Sequence, residues 1–250
     1  MTADAVTPRR ATCILLALTL TIAAGGPGLA QEVTFSFGED GSLASRAIQI
    51  MAVVTVLSLV PGIAVTITCF PFIVTVLAIL RQGLGLQTSP PNMLLVALAL
   101  FLTYFVMEPV FISAWENGIR PLTEGTVGTE AALRAGLEPF RQFMSARVDP
   151  DVLTQMGSLR PEGARTADGT PTLSVLVPSF LLSEMARAFE IGFLVFLPFL
   201  VIDLVVAAIL MSMGMMMVPP AIVSLPFKLA FFVVADGWSL IAGALVRSYM

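Results

Sequence analysis

The chain concentrates thioether sulfur in one short stretch. Residues 211–217 read MSMGMMM, so five of the chain's thirteen methionines fall within seven positions, around one glycine. Methionine side chains fill irregular apolar gaps, supply soft ligands for Cu(I), or form a deformable apolar seal around an opening. The residues themselves leave all three roles open. The candidate residues of this methionine loop are Met211, Met213, Gly214, Met215, Met216 and Met217.

A second group of chemically capable side chains consists of charges inside apolar runs. Glu184, Arg187 and Glu190 are spaced at i, i+3 and i+6, so a helix would place the cation next to both acids. Three further charges stand singly among apolar residues: Asp203, Lys228 and Asp236. Because such charges are costly in lipid, we expect them to pair between helices or subunits, or to line a passage that responds to the proton gradient.

Composition excludes several other chemistries. The chain has no histidine, which excludes Ser-His-Asp catalysis, imidazole metal ligation and a histidine pH switch. It has no nucleotide-binding loop of the G-x-x-x-x-G-K type. A net charge of −4 without a basic cluster argues against nucleic-acid binding. We therefore predict a protein that is not an enzyme and that uses no cofactor and no resident metal.

The overall composition indicates a membrane protein. Hydrophobic residues make up 57% of the chain and charged residues only 12%, whereas about a quarter of the residues of soluble domains are charged. Arg9 and Arg10 precede an apolar run at 11–24 and a small-residue end, an order typical of a secretory signal peptide. We predict that residues 1–30 are a signal peptide cleaved near Ala30, with a first transmembrane helix as the alternative.

Apolar blocks then alternate with a polar one. After an extracytoplasmic segment at 31–46, we predict a first apolar helical hairpin at 47–112 and a second at 173–250. The polar residues 113–172 between them form an extracytoplasmic segment. Within it, Thr129 is the predicted cap of an amphipathic helix. The apolar face of that helix would contain Leu133, Leu137, Phe140 and Met144.

Prolines mark the predicted breaks and loops, because an interior proline removes a backbone donor and clashes with the preceding turn. The uncharged run 47–80 is longer than one span of about 20 residues, and we place its break at Pro61-Gly62, with Cys69-Phe70-Pro71 as a possible second break. Loops are predicted at Pro90-Pro91 and Pro219-Pro220. The predicted fold class is all-α and membrane-associated, with broken long helices forming two helical hairpins.

Three stretches in the same order resemble the FliP family of flagellar biosynthetic proteins and its homologues in virulence type III secretion. They read LRQGLGLQTSPPNMLLVALALFLTYFVMEPVF from Leu80, LVPSFLLSEMARAFEIGFLVFLPFLVIDLVVAAILMSMGMMMVPP from Leu176, and LPFKLAFFVVADGWSL from Leu225. The resemblance covers most of the chain from about residue 45 onward. A flagellar rather than a virulence assignment rests on overall likeness alone.

The resemblance implies a protomer of an oligomeric helical gate in the flagellar basal body at the bacterial inner membrane. Other copies of the chain, the subunits FliQ and FliR, and also FlhA and FlhB are the implied partners. Unfolded flagellar subunits would pass through the pore, and the methionine loop would help to close it when idle. Charged contacts between protomers would involve Glu184, Arg187, Lys228 and Asp236. The rival functions are a copper transporter based on the methionines and a monomeric small-solute permease.

Overall fold

The computed structural model describes residues 43–86, 89–160, 166, 169–215 and 217–250. The predicted signal peptide at 1–30, its cleavage site near Ala30 and residues 31–42 lie outside the described residues. The chain divides into two units, Met1–Val54 and Thr55–Met250. The described part of the first unit is helical, and the second unit contains the methionine loop and the charges that stand inside apolar runs.

Helices account for most of the described chain. In chain order they are α1 (Leu43–Thr66), α2 (Phe70–Gly83), α3 (Asn92–Ala114), a π-helical turn (Trp115–Ile119), α4 (Arg120–Thr123), α5 (Thr129–Arg147), α6 (Pro150–Ser158), α7 (Leu173–Ser212), α8 (Pro220–Val234) and α9 (Gly237–Arg247). The predicted all-α class is confirmed.

Several helices are suited to a membrane. By length and composition, the continuous helical stretch Asn92–Thr123 and helix α7 could each cross a bilayer. Two bent pairs, Ile50–Thr66 with Phe70–Gly83 and Pro220–Val234 with Gly237–Arg247, raise the number to four if each pair is one span. The chain is therefore a membrane protein with two to four candidate spans among its described residues.

The predicted helix break at Pro61-Gly62 is wrong. Helix α1 continues through both residues to Thr66, and the chain breaks at 67–69 instead. Pro61 lies on an exposed part of α1, whereas Pro71 is in the first turn of α2, where a backbone N–H has no partner within the helix anyway. At the end of α1, Thr66 Oγ1 donates to the Ile63 carbonyl at 2.7 Å.

The helices of the second hairpin also continue through their interior prolines. Helix α7 runs for 40 residues through Pro178 and Pro198 without interruption. Helices α8 and α9 meet at a 62° bend, where Asp236 has a left-handed backbone (φ 48°). A Cβ on Gly237 would lie 2.2 Å from a ring carbon of Phe232, so the bend needs glycine at this close approach.

Helix α2 lies at the centre of the core of the second unit. It packs along α7 and against α3, while α8 packs on α7 and α9 packs on both α8 and α3. Phe72, Ile73, Val76, Leu77 and Leu80 are fully buried on α2, and their i, i+3/i+4 spacing places them on a broad apolar face. This packing brings both ends of α2 against the charges of α7 and α8.

The amphipathic helix predicted in the polar segment is present as α5, but its cap and buried face differ from the prediction. Gly128 is the capping residue and Thr129 is already helical. Met144 is buried as expected, whereas Leu133 and Leu137 are exposed and Ala132 is buried instead. The small residue is buried because α5 packs closely on the π-helical turn: a Cβ on Gly118 would lie 2.9 Å from the Ala132 carbonyl oxygen.

Candidate functional site

The methionine loop begins in the last turn of α7 and ends where α8 starts. Helix α7 ends at Ser212, and Gly214 adopts φ 76°. The Gly214 N–H donates to the Met211 carbonyl at 3.0 Å, and the Met215 N–H donates to the Leu210 carbonyl at 3.0 Å. This pair of bonds is a Schellman motif, which requires a left-handed residue and therefore favours glycine. Pro219 then caps α8 and Pro220 is its first residue.

The described methionines of this loop do not fill a gap in the core of their own chain. Met211, Met213, Met215 and Met217 are 60%, 57%, 41% and 98% exposed, respectively. Met216 lies outside the described residues. Since a gap-filling methionine would be buried, the described side chains are available to something outside the chain. Only Met213 also lines an apolar groove of about 400 Å³ between α7 and α8.

The loop after α2 has the same turn as the methionine loop. The Gly85 N–H donates to the Gln82 carbonyl at 3.0 Å, and the Leu86 N–H donates to the Arg81 carbonyl at 3.4 Å. Gly85 has φ 76°, as Gly214 has. In both loops the glycine stands five positions before the double proline. The resemblance between the two hairpins therefore extends from sequence to backbone geometry. Pro90 and Pro91 lie in the loop as predicted.

Lys228 joins three helices near the loop after α2. Its Nζ lies 2.6 Å from Asp203 Oδ2 on α7 and donates to the Gly83 carbonyl at the end of α2 at 3.0 Å. The carbonyls in the last turn of a helix lack partners within it, and the helix dipole there favours a cation. Lys228 therefore neutralises Asp203 and also caps α2.

Ser224 completes this cluster, one turn before Lys228 on α8. Its hydroxyl donates to Asp203 Oδ1 at 2.5 Å and lies 3.2 Å from the Ala221 carbonyl. Ser224 is fully buried, while the Asp203 side chain keeps 32% of its surface exposed. Both carboxylate oxygens of Asp203 thus have a donor on α8.

Glu184 lies in a second buried cluster at the other end of α2. It is fully buried, and its Oε1 lies 3.3 Å from Arg147 Nε and 3.4 Å from Arg187 Nη1. The Tyr249 hydroxyl donates to Oε2. Arg147 also donates to the Ser248 carbonyl at 2.7 Å, and its guanidinium lies 4.1 Å from the centre of the Tyr249 ring. The cluster joins α5, α7 and the residues after α9.

Tyr249 acts in this cluster as a neutral donor. Burial raises the pKa of its phenol above the ordinary value, and the nearby Glu184 carboxylate raises it further. The ring also packs edge-on against Phe72 and stacks on Phe143. Tyr249 therefore holds Glu184 through a hydrogen bond and fixes the chain end through aromatic packing.

Two of the predicted charges do not pair within the described chain. Arg187 contacts Glu184 but not Glu190, which is exposed and has no ion pair among the described residues, so the predicted three-member arrangement is wrong on that side. Asp236 is likewise exposed, has no ion pair among them, and stands at the bend between α8 and α9. Their carboxylates point away from the packed core.

Sequence reasoning missed five members of these clusters: Arg147, Ser224, Tyr249 and the carbonyls of Gly83 and Ser248. Ser224 had a usable signal, because it stands four positions before Lys228 and so shares its helix face. Arg147 gave no local signal, since its partner Glu184 is 37 positions away.

Comparison with known proteins decides the family. The profile of the FliP family matches residues 53–245. This chain belongs to the FliP family. It is 46% identical over 244 residues to the flagellar biosynthetic protein FliP of Rhizobium meliloti (strain 1021), covering 97% of this chain and 99% of that protein.

Other FliP proteins are similar over comparable lengths. FliP of Caulobacter vibrioides is 48% identical over 237 residues, which is 94% of this chain and 89% of that protein. FliP of Bacillus subtilis (strain 168) is 41% identical over 211 residues, which is 84% of this chain and 95% of that protein. The FliP-family match includes α2, both buried charge clusters except Tyr249 and Ser248, and the whole methionine loop.

Proposed function

We propose that this chain is a core pore subunit of the flagellar type III protein export gate. Several copies, together with FliQ and FliR and in contact with FlhA and FlhB, would pass unfolded flagellar subunits across the bacterial inner membrane. The chain would reach the flagellar basal body after loss of its signal peptide near Ala30. The relatives named above are all flagellar biosynthetic proteins, which favours the flagellar over the virulence system.

One observation carries the sealing role of the methionine loop. Four thioether side chains are exposed at a tight turn between two apolar helices: Met211, Met213, Met215 and Met217. An exposed cluster of this kind is a contact surface for something outside the chain. Several copies arranged around one axis would bring their loops together into a ring.

Thioethers suit a gate that must close tightly and open widely. A constriction of apolar side chains excludes water and ions, while the flexible, polarisable methionine side chain conforms to many different passing residues. The export of an unfolded chain needs no reacting side chain in this subunit. Non-enzymatic transport therefore fits a membrane protein whose candidate residues are thioethers and ion pairs.

The charges serve assembly in this proposal. Asp203 and Lys228 are satisfied within the chain and fix the helices next to the loop. Glu190 and Asp236, which are exposed on otherwise apolar helices, are the acids available to neighbouring subunits. A carboxylate on an apolar surface is costly unless it gains a partner or water, so each would pair across a subunit boundary or face a wet passage.

The test replaces the five methionines by alanine in the full chain, expressed with its partner subunits. We expect normal amounts of assembled complex and an inner membrane that leaks small ions, because alanine leaves the constriction wide. The leak is measured per assembled complex by dye or ion flux into cells. Normal assembly with unchanged flux would contradict the seal.

Two further results separate the rival functions. Stoichiometric copper on the purified protein, lost when Met211, Met213 and Met215 are replaced, would support a Cu(I) carrier instead. A native mass of single copies that transport a defined small solute would support a permease. We expect neither result, and we expect the purified protein to contain several copies of the chain.

A further inference from the structure

Ser224 stands where the two helices that carry the methionine loop are joined. Helix α7 enters the loop and α8 leaves it, and the Asp203–Lys228 pair connects them a few turns away from its tip. The Ser224 hydroxyl donates to the free oxygen of the same carboxylate at 2.5 Å. The two donors stand four positions apart on α8 and hold both oxygens of one carboxylate on α7.

A carboxylate with one donor can rotate about its Cβ–Cγ bond, whereas one with a donor on each oxygen is held in a single orientation. The Asp203 side chain is partly exposed, so water would compete for Oδ1 if Ser224 did not occupy it. Hydrogen bonds to a charged acceptor are stronger than neutral ones. The serine therefore determines where the Asp203 carboxylate presents its other oxygen to Lys228.

The position of Lys228 has a consequence beyond this pair, because its Nζ also bonds the Gly83 carbonyl. Gly83 directly precedes the turn at Gly85, the counterpart of the turn at Gly214 in the methionine loop. A shift of Lys228 would therefore move the contact between α8 and the loop after α2. The Ser224–Asp203–Lys228–Gly83 series links the turn after α2 to the two helices that flank the methionine loop.

We propose that Ser224 is a positioning residue of the seal, which fixes Asp203 for Lys228 and thereby holds the two helices flanking the methionine loop in register. This inference rests on the proposed export-gate function. Ser224 does not touch the pore or a passing chain. It acts through Asp203, and its removal increases the time that an idle gate spends open.

The experiment measures idle ion flux per assembled complex in cells that express the full chain with its partners. Ser224→Ala is expected to assemble and to raise the flux about tenfold. The reason is that the closed state of the gate loses a hydrogen bond to a charged group, which shifts the equilibrium toward the open state. Ser224→Thr, which keeps a hydroxyl, is expected to remain near the wild-type flux. The matched control is Ser158→Ala, because the Ser158 hydroxyl donates to the Gln155 carbonyl in its own helix at 2.7 Å, outside the methionine loop and both charge clusters.

A double variant distinguishes positioning from packing. If Ser224 acts through the carboxylate, Ser224→Ala adds no further flux to an Asp203→Asn variant. Additive effects would overturn the proposal, as would a Ser224→Ala complex that forms in low yield but is as tight as wild type. If the five-methionine variant leaks and the separate Ser224→Ala variant is tight, the role of Ser224 is refuted but the proposed function is not. If the five-methionine variant is tight, the seal itself fails.

Discussion

The Lys228 ammonium lies 3.0 Å from the Gly83 carbonyl, although 145 positions separate the two residues. The contact ties the end of the first hairpin's central helix to α8 in the second. The same ammonium neutralises Asp203 on α7. Lys228 therefore connects the first hairpin to the second, and it also connects α7 to α8 within the second hairpin. Changes at this point are therefore expected to affect the arrangement of both loops.

Removing Lys228 alone should be far more harmful than removing the whole ion pair. Lys228→Met leaves the Asp203 carboxylate without its cation, and a broken buried pair costs about 3–5 kcal/mol. Lys228→Met combined with Asp203→Leu removes both charges, and we expect it to recover most of the assembled complex. The readout is complex yield and thermal unfolding in detergent. A double variant no better than the single one would show that the charges are needed for more than mutual neutralisation.

The cluster around Glu184 should be sensitive to both of its distant donors. Tyr249→Phe removes one hydrogen bond to the buried carboxylate and should lower the free energy of unfolding by about 1.5–3 kcal/mol. Arg147→Met should cost more, because it also removes the bond to the Ser248 carbonyl. Thermal unfolding of the purified complex measures both.

Arg134→Met is the matched control for Arg147. Arg134 pairs with Glu130 at the surface, where the two side chains are 79% and 81% exposed, and such pairs contribute about 0–1 kcal/mol. If Arg134→Met and Arg147→Met lowered the free energy of unfolding equally, the buried cluster would not stabilise the fold.

The stability of the subunit, as distinct from its assembly, should respond to the backbone conformation at Asp236 rather than to its charge. Its φ of 48° is left-handed, which costs an ordinary side chain about 1–2 kcal/mol and is easier for Asn, Asp and Gly. Asp236→Val should therefore reduce stability, while Asp236→Gly and Asp236→Asn should not. If Asp236→Asn lost assembly at unchanged subunit stability, a partner for the carboxylate in another subunit would be required.

The two matching turns should respond alike to substitution. Among the described residues, no atom lies within 4 Å of a Cβ placed on Gly214, and the nearest to one on Gly85 is Lys228 Nζ at 3.9 Å. Alanine at either site therefore meets only backbone strain of about 1–2 kcal/mol. We expect Gly85→Ala and Gly214→Ala to lower the unfolding temperature by similar amounts, with the asparagine variants less affected. If only one of the two alanine variants had a lower unfolding temperature, the two turns would not have a common role.

The sequence predicted the helical membrane class, because that class depends on composition and local spacing. The sealing role of the methionine loop and the intersubunit role of the charges stay predictions. Sequence reasoning placed the first helix break wrongly, since the rule that a proline ends a helix applies equally to Pro61 and Pro71. Only the surroundings distinguish them: Pro61 is exposed in a continuing helix, while Pro71 starts a helix that packs into the core. Local rules carry no information about such packing.

The partners of the buried Glu184 could not be predicted from the sequence, for a related reason. Spacing on one helix suggested Glu184 and Glu190 as partners of Arg187, and among the described residues only the contact with Glu184 forms. The stronger contacts come from Arg147 and Tyr249, which reach Glu184 from other elements. Helical periodicity can rank neighbours within an element, but it cannot tell which element will fold against it.

Helix α7 is too long for the hydrocarbon core of a bilayer to cover all of its apolar surface. Its 40 residues extend about 60 Å at about 1.5 Å per residue, and a hydrocarbon core of about 30 Å would accept that length only at a tilt of about 60°. Membrane helices tilt by roughly 0–40°. We therefore expect a large part of α7 to lie outside the hydrocarbon, although exposed apolar side chains such as Leu182 and Val205 stand toward both of its ends. Protein neighbours must cover what lipid cannot, so the chain should be handled in detergent as a complex rather than alone.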